Sequence, residues 1–243
     1  LVQEQIDSFD KHNYGYINDQ VIKHRDLIRM LLMKQDAFLT ENNKIDLFTD
    51  GHKLYEKVLE DIYNAKDYIH LEYYTFELDG LGKRILDALE TKLKEGLEVK
   101  LLYDDVGSKK VRLSKFKHFR ALGGEVEAFF PSKVPLINFR MNNRNHRKII
   151  IIDGQIGYIG GFNVGDDYLG LGKLGYWRDT HTRVQGEGID ALQLRFILDW
   201  NSQSHRPQFK FDQKYFPKKN GDKGNTAIQI ASSGPAFDLH QIE

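Results

Sequence analysis

His146 and Lys148 stand two positions apart in the segment NHRKIIIIDGQIGYIGGFN, residues 145–163. On an extended strand, side chains two apart leave by the same face, so an imidazole and an ammonium are set side by side. Four residues separate Lys148 from Asp153, and six more lead to Gly160, Gly161 and then Asn163. Lysine supplies a point charge to a phosphoryl oxygen. An asparagine amide can donate a hydrogen bond to another. Histidine titrates near neutrality, so it attacks as the neutral base or donates as the cation. Together these groups describe a phosphate site that contains a nucleophile. Asp153 has the opposite strand parity and lies at a turn, so it is expected to brace the hairpin rather than touch phosphorus. Gly160 and Gly161 remove side chains where a ligand or a backbone must come close. A lone His-x-Lys on a strand is usually surface decoration, but this set of constrained positions at fixed spacing argues for chemistry.

Several elements must position this set. Lys148–Asp153 and Gln155–Ile159 read as two strands joined at Asp153-Gly154, a tight-turn pair. Ile45–Phe48, Tyr68–Phe76, Glu98–Tyr103 and Glu125–Phe130 also read as strands, and residues 131–145 as a loop. Helical stripes fall between them: Leu54, Tyr55, Val58, Leu59 and Ile62; then Leu81, Ile85, Leu89 and Leu93; then Leu113, Phe116, Phe119 and Leu122. A last helix is expected over Ile189–Asn201. Strands alternating with helices predict an α/β layered fold, its mixed β-sheet flanked by helices.

Residues 1–43 are polar, with one helical stripe from Val21 to Phe38, and read as an N-terminal extension. Residues 44–225 read as the main domain. Ile228-x-Ile230-x-x-x-Gly234 repeats the spacing of Ile45-x-Leu47-x-x-x-Gly51, so 226–243 are expected to open a second, truncated repeat. The chain opens on Leu1 rather than Met, which fits the expectation of an excised piece.

Composition excludes some classes. Apolar residues make up 40% and charged residues 29%, an ordered rather than a disordered profile. Lys plus Arg equal Asp plus Glu, 35 each, so overall charge does not argue for an anionic partner. There is no cysteine, hence no disulfide and no thiolate metal site. No apolar run is long enough to span a bilayer.

Local clusters carry other readings. Lys109, Lys110, Arg112, Lys115, Lys117 and Arg120 form a basic stretch that fits anionic lipid but more often marks the wet face of a helix. The loop Val134–Arg140, with Arg140 and Arg144, is either a membrane contact or a cover for the core. Asp104-Asp105 ends a strand, and adjacent residues face opposite ways, which favours a turn or supporting role over a shared metal ion. Glu72 shares a strand face with His70 and Tyr74, where a carboxylate is unusual; it is expected to orient an imidazole, that of His146 or of a second site histidine. Asp179 and His181 either line the site or serve the core.

HxKxxxxD followed by GGxN resembles the signature of the phospholipase D superfamily. The flanks, residues 69–74, 102–108, 143–148, 160–170 and 176–181, resemble bacterial cardiolipin synthases, and the likeness covers about residues 42–240. It implies a phospholipase D-like fold, one of two pseudo-repeats whose motifs meet at a single site. It implies phosphatidyl transfer between two phosphatidylglycerol molecules, giving cardiolipin and glycerol through a phosphohistidine. His146, Lys148 and Asp153 form the catalytic set under this resemblance, with Lys148 and Asn163 on the phosphate. Gly160, Gly161, Glu72 and Asp179 support it. No metal or cofactor is expected. The implied partners are phosphatidylglycerol, an anionic membrane surface, and a second motif-bearing half in the same polypeptide or a second copy; nucleic acid is not expected. The implied location is the bacterial cytoplasmic membrane, catalytic domain toward the cytoplasm. Only one motif is present, so a lone half is expected to be inactive. The alternatives are a homodimeric phosphodiesterase or nuclease, and a non-catalytic half-site binding module.

Overall fold

Tyr-Ile-His-Leu-Glu-Tyr and Lys-Ile-Ile-Ile-Ile, residues 68–73 and 148–152, are buried along their whole lengths and form adjacent central strands. Such runs suit a sheet covered on both faces. The computed structural model describes residues 2–10, 19–129, 145–173, 175–203, 209–220 and 224–232. In chain order the elements are α1 (Val2–Asp10), α2 (Asp19–Ile22), α3 (Arg25–Gln35), β1 (Leu39–Phe48), α4 (Gly51–Asn64), β2 (Tyr68–Tyr73), α5 (Gly80–Lys94), β3 (Glu98–Asp104), α6 (Lys117–Ala121), β4 (Glu125–Phe129), β5 (Lys148–Ile152), β6 (Ile156–Gly160), β7 (His181–Gly186), α7 (Ile189–Gln203) and β8 (Thr226–Gln229). They build an eight-stranded sheet in the order β4-β3-β2-β5-β6-β7-β1-β8. β2, β3 and β4 run parallel, and the remaining pairings are antiparallel.

Strand parity sorts the two cores. Ile69, Leu71, Tyr73, Ile150 and Ile152 face α4 and α5. Ile149 and Ile151 face α7, with Phe196 and Trp200. Asp50 caps α4 by accepting from Lys53 N at 3.0 Å. Asp166, in the loop after β6, accepts from Gly80 N and Leu81 N, and its own N–H donates to Asp79, the N-cap of α5. This ties the segment after the glycine pair to a helix start.

The structure extends the sequence reading in three places. β1 begins at Leu39 rather than Ile45, running through positions 43 and 44. Its polar start is a bulged strand in which the buried Asn43 amide donates to Thr40 O and Thr226 O while its Oδ1 accepts from Gly188 N. β7, absent from the sequence reading, joins β6 to β1. The helix expected around Leu113–Leu122 starts as a 3₁₀ turn, Leu113–Phe116, before α6. β8 lies on the free side of β1, at the edge of the same sheet. Gly234 and the loop 131–144, including Arg140 and Arg144, lie outside the described residues.

Candidate active site

The β5–β6 hairpin turns through Asp153 and Gly154, both left-handed at φ 54° and 60°, with Gln155 N donating to Ile152 O and Ile152 facing Ile156 across a three-residue connection. The Asp153 carboxylate accepts from Lys66 N (2.8 Å), Asp67 N (2.8 Å) and Tyr68 N (3.0 Å). It therefore braces the turn against the start of β2, as parity suggested. The five-residue rise of β5 puts it about 16 Å from Lys148. Its place in a catalytic set, which the family resemblance implied, is corrected to a structural one.

At the other end, Lys148 opens β5 opposite Tyr73. His146 precedes the strand and is exposed, whereas Lys148 is only 2% exposed. Lys148 Nζ lies 3.1 Å from His146 Nδ1 and donates to His146 O at 2.7 Å. The Tyr74 ring lies 4.6 Å from the imidazole, and the ammonium stands 5.3 Å above that ring. Tyr74 is held by its N–H to Arg147 O and by Ser108 Oγ, which donates to Tyr74 O. Asp104 accepts from Val106 N, Gly107 N and Asn145 N, so it anchors both the turn after β3 and the residue before His146.

Burial and then the Lys148 charge hold His146 below its ordinary pKa, partly opposed by Asp104 and Asp179. The ring is therefore neutral at neutral pH, the form that attacks. Burial lowers Lys148 to about 8, with Asp179 opposing. At pH 7 the lysine keeps most of its positive charge.

Asn163 is buried near this pair. Its Oδ1 accepts from Thr75 N at 3.0 Å, and its Nδ2 donates to the Tyr168 hydroxyl at 2.5 Å. Nδ2 carries a second hydrogen besides the one given to Tyr168. A Cβ at Gly160 would run into the backbone of Thr180 and His181, and one at Gly161 into the Asp179 carboxylate. The two glycines thus admit β7 and Asp179, not a ligand directly. Asp179 also accepts from Thr180 N at 2.7 Å.

Glu72 is corrected. It lies on the α7 face, opposite the site. It accepts from the Asn145 side-chain amide, and burial with the neighbouring Asp199 raises its pKa well above the carboxylate range. It holds the residue before His146 and does not orient the imidazole. His70, on the same face, stacks on Phe196 at 4.7 Å. Two site groups escaped sequence reasoning. Tyr74 did because β2 ends at Tyr73, where parity stops applying. Tyr168 did because its hydroxyl reaches Asn163 from a loop, with no periodic signal.

Residues 58–172 match the family described as "Cardiolipin synthase, PLD-like domain". Cardiolipin synthase 1 of Staphylococcus epidermidis (strain ATCC 12228 / FDA PCI 1200) is 98% identical over 243 residues, covering 100% of this chain and 50% of that protein. Cardiolipin synthase 1 of Staphylococcus aureus (strain MRSA252) is 76% identical over 243 residues, 100% of this chain and 49% of that one. The chain thus spans about half the length of the curated relatives it matches. Among solved structures, NucT from Helicobacter pylori aligns with a TM-score of 0.51 at 15% identity, covering 66% of this chain and 98% of that one. A likeness of that order shows a shared fold. The α/β layered, mixed-sheet architecture expected from sequence is borne out.

Proposed function

We propose that the chain is a phospholipase D-like member of the cardiolipin synthase family and the His146-bearing half of a phosphatidyl transferase, a reading supported by the family match over residues 58–172 and by the 98% identity to half of a cardiolipin synthase 1. The observation that supports this most is a neutral, exposed imidazole 3.1 Å from a buried ammonium. His146 attacks the phosphorus of one phosphatidylglycerol, and the bond to its glycerol headgroup breaks. The histidine of a second motif, in the same polypeptide or another copy, gives that glycerol its proton. The same histidine then takes a proton from the hydroxyl of a second phosphatidylglycerol. That oxygen attacks the phosphorus, the phosphorus–nitrogen bond breaks, and cardiolipin leaves with His146 restored. Splitting the displacement lets one site serve donor and acceptor in turn.

Lys148 balances charge on the non-bridging oxygens, and the second Asn163 hydrogen meets another. While Lys148 donates to Nδ1, the ring proton resides on Nε2. An arriving phosphate draws the ammonium away and frees Nδ1 to take the proton, leaving Nε2 to attack. Asp179, whose charge both groups feel, stabilises the imidazolium that follows.

Among the described residues no helix is long and apolar enough to cross a membrane. Placement at an anionic cytoplasmic membrane surface is supported by Lys109, Lys110, Arg112, Lys115 and Lys117, all exposed around the buried Phe116 and Phe119. The test is thin-layer analysis after incubating the complete polypeptide with phosphatidylglycerol. Cardiolipin with glycerol is expected. Phosphatidic acid alone would mark a hydrolase, nicking of added DNA a nuclease, and no product a binding module.

A further inference from the structure

His181 opens β7 and pairs with Gly160 on β6. The neighbouring register, Ile149 with Ile159, sets Lys148 beside Gly160 on the other side. Lys148, Gly160 and His181 therefore form one row across three strands, with no side chain in the middle. The His181 ring fills that gap, because a Cβ at Gly160 would strike its Cγ. The ring is 1% exposed, and the Tyr158 and Phe162 rings flank it at 6.4 Å each. Neither ring nitrogen has a hydrogen-bond partner among the described residues.

A neutral imidazole carries one donor and one acceptor, and burying both unpaired is unfavourable. A phenylalanine would fill an aromatic pocket without that penalty. Burial and the Lys148 charge bring the His181 pKa to about 3, so the ring stays neutral at working pH and carries no proton in turnover. What it retains is a fixed N–H in a dry place beside the ammonium.

We propose that His181 is a further ligand of the phosphate, donating its imidazole N–H to a non-bridging oxygen of the phosphodiester that Lys148 holds. This rests on the phosphate-site reading above. The ring takes the place of a Gly160 side chain and so stands in the same cross-strand row as the Lys148 ammonium. A neutral donor adds a hydrogen bond without another cation to repel Lys148.

The test uses the complete polypeptide, with inorganic phosphate as probe. Melting temperature is measured with and without phosphate, and kcat and KM for phosphatidylglycerol, in wild type, H181F and H181N. The expected result is that H181F melts above wild type without phosphate, because two orphaned polar atoms are gone. It loses most of the phosphate-induced rise, and its kcat/KM falls about 10²-fold or more, the scale of one lost oxyanion donor. H181N, which keeps a donor, recovers part of both. An undiminished phosphate-induced rise in H181F overturns the assignment. A lower melting temperature in both variants marks the ring as structural and overturns it too. A wild type that shows no phosphate-induced rise overturns the phosphate-site reading itself, which separates the two failures.

Discussion

Two buried polar clusters lie two residues apart on the same strands and the same sheet face, and they are completed in opposite ways. Tyr158 on β6 opposes Arg183 on β7. Tyr158 donates to Asp61 Oδ2 at 2.5 Å, Arg183 Nε donates to the same oxygen at 2.6 Å, and Arg183 Nη1 reaches Asp46 and Gln185. Gly160 and His181 are the next pair on that face, beside Lys148, and there the imidazole nitrogens stand unpartnered. The first cluster satisfies its own polar groups and fastens α4 to the sheet. The second is left incomplete among the described residues. The first is a structural network complete in itself, and the open nitrogens of the second are what the proposed phosphate would meet.

Substitutions in each cluster separate the structural role from the functional one. The largest effect is expected from H146A in the complete polypeptide. Cardiolipin formation falls by about 10⁴-fold or more, as for loss of a covalent nucleophile. The melting temperature stays near wild type, because the ring is exposed. Residual activity within tenfold of wild type would sink the assignment. Next comes D61A, which strands Arg183 beside a lost partner. It costs about 3–5 kcal/mol in urea unfolding, while the folded fraction keeps its kcat. If D61A left stability unchanged and lowered kcat, the structural and functional labels would have to be exchanged.

A smaller effect separates the clusters by pH. Lys148 is charged below its folded pKa of about 8, so kcat/KM should decline as pH rises through that value. Arginine stays charged, so K148R should lose the alkaline limb even at reduced overall activity. The stability sign is the reverse of that for a stabilised cation. Below pH 8 both states hold the proton and the burial penalty is fully present; between about 8 and 10.4 only the unfolded chain holds it, so stability rises with pH. A limb that survives in K148R would assign the titration to another group.

The hairpin was legible in the sequence because Ile149–Ile152 is an unbroken apolar run ending in Asp153-Gly154. The His146–Lys148 pairing followed from their two-residue spacing, although His146 itself precedes β5. β7 was hidden because His-Thr-Arg-Val-Gln-Gly has one aliphatic residue; its burial comes from Arg183 and His181, polar side chains with tertiary roles. Glu72 was misassigned because parity tells which face a side chain takes but not what covers that face. The glycine pair was correctly taken as a place of close approach, but only the folded chain shows that β7 and Asp179 do the approaching. The start of β1 was read as part of the N-terminal extension because the Asn43 bulge is polar, and its bonds join residues more than 140 positions apart.

The most direct measurement is a search for the covalent intermediate. The complete polypeptide is quenched in alkali during turnover of phosphatidylglycerol, where a phosphoramidate survives, and its peptides are mapped by mass spectrometry. A phosphatidyl or phosphoryl adduct on His146, absent from H146A, is predicted. An adduct carried only by another residue, with H146A still making cardiolipin, would contradict the account.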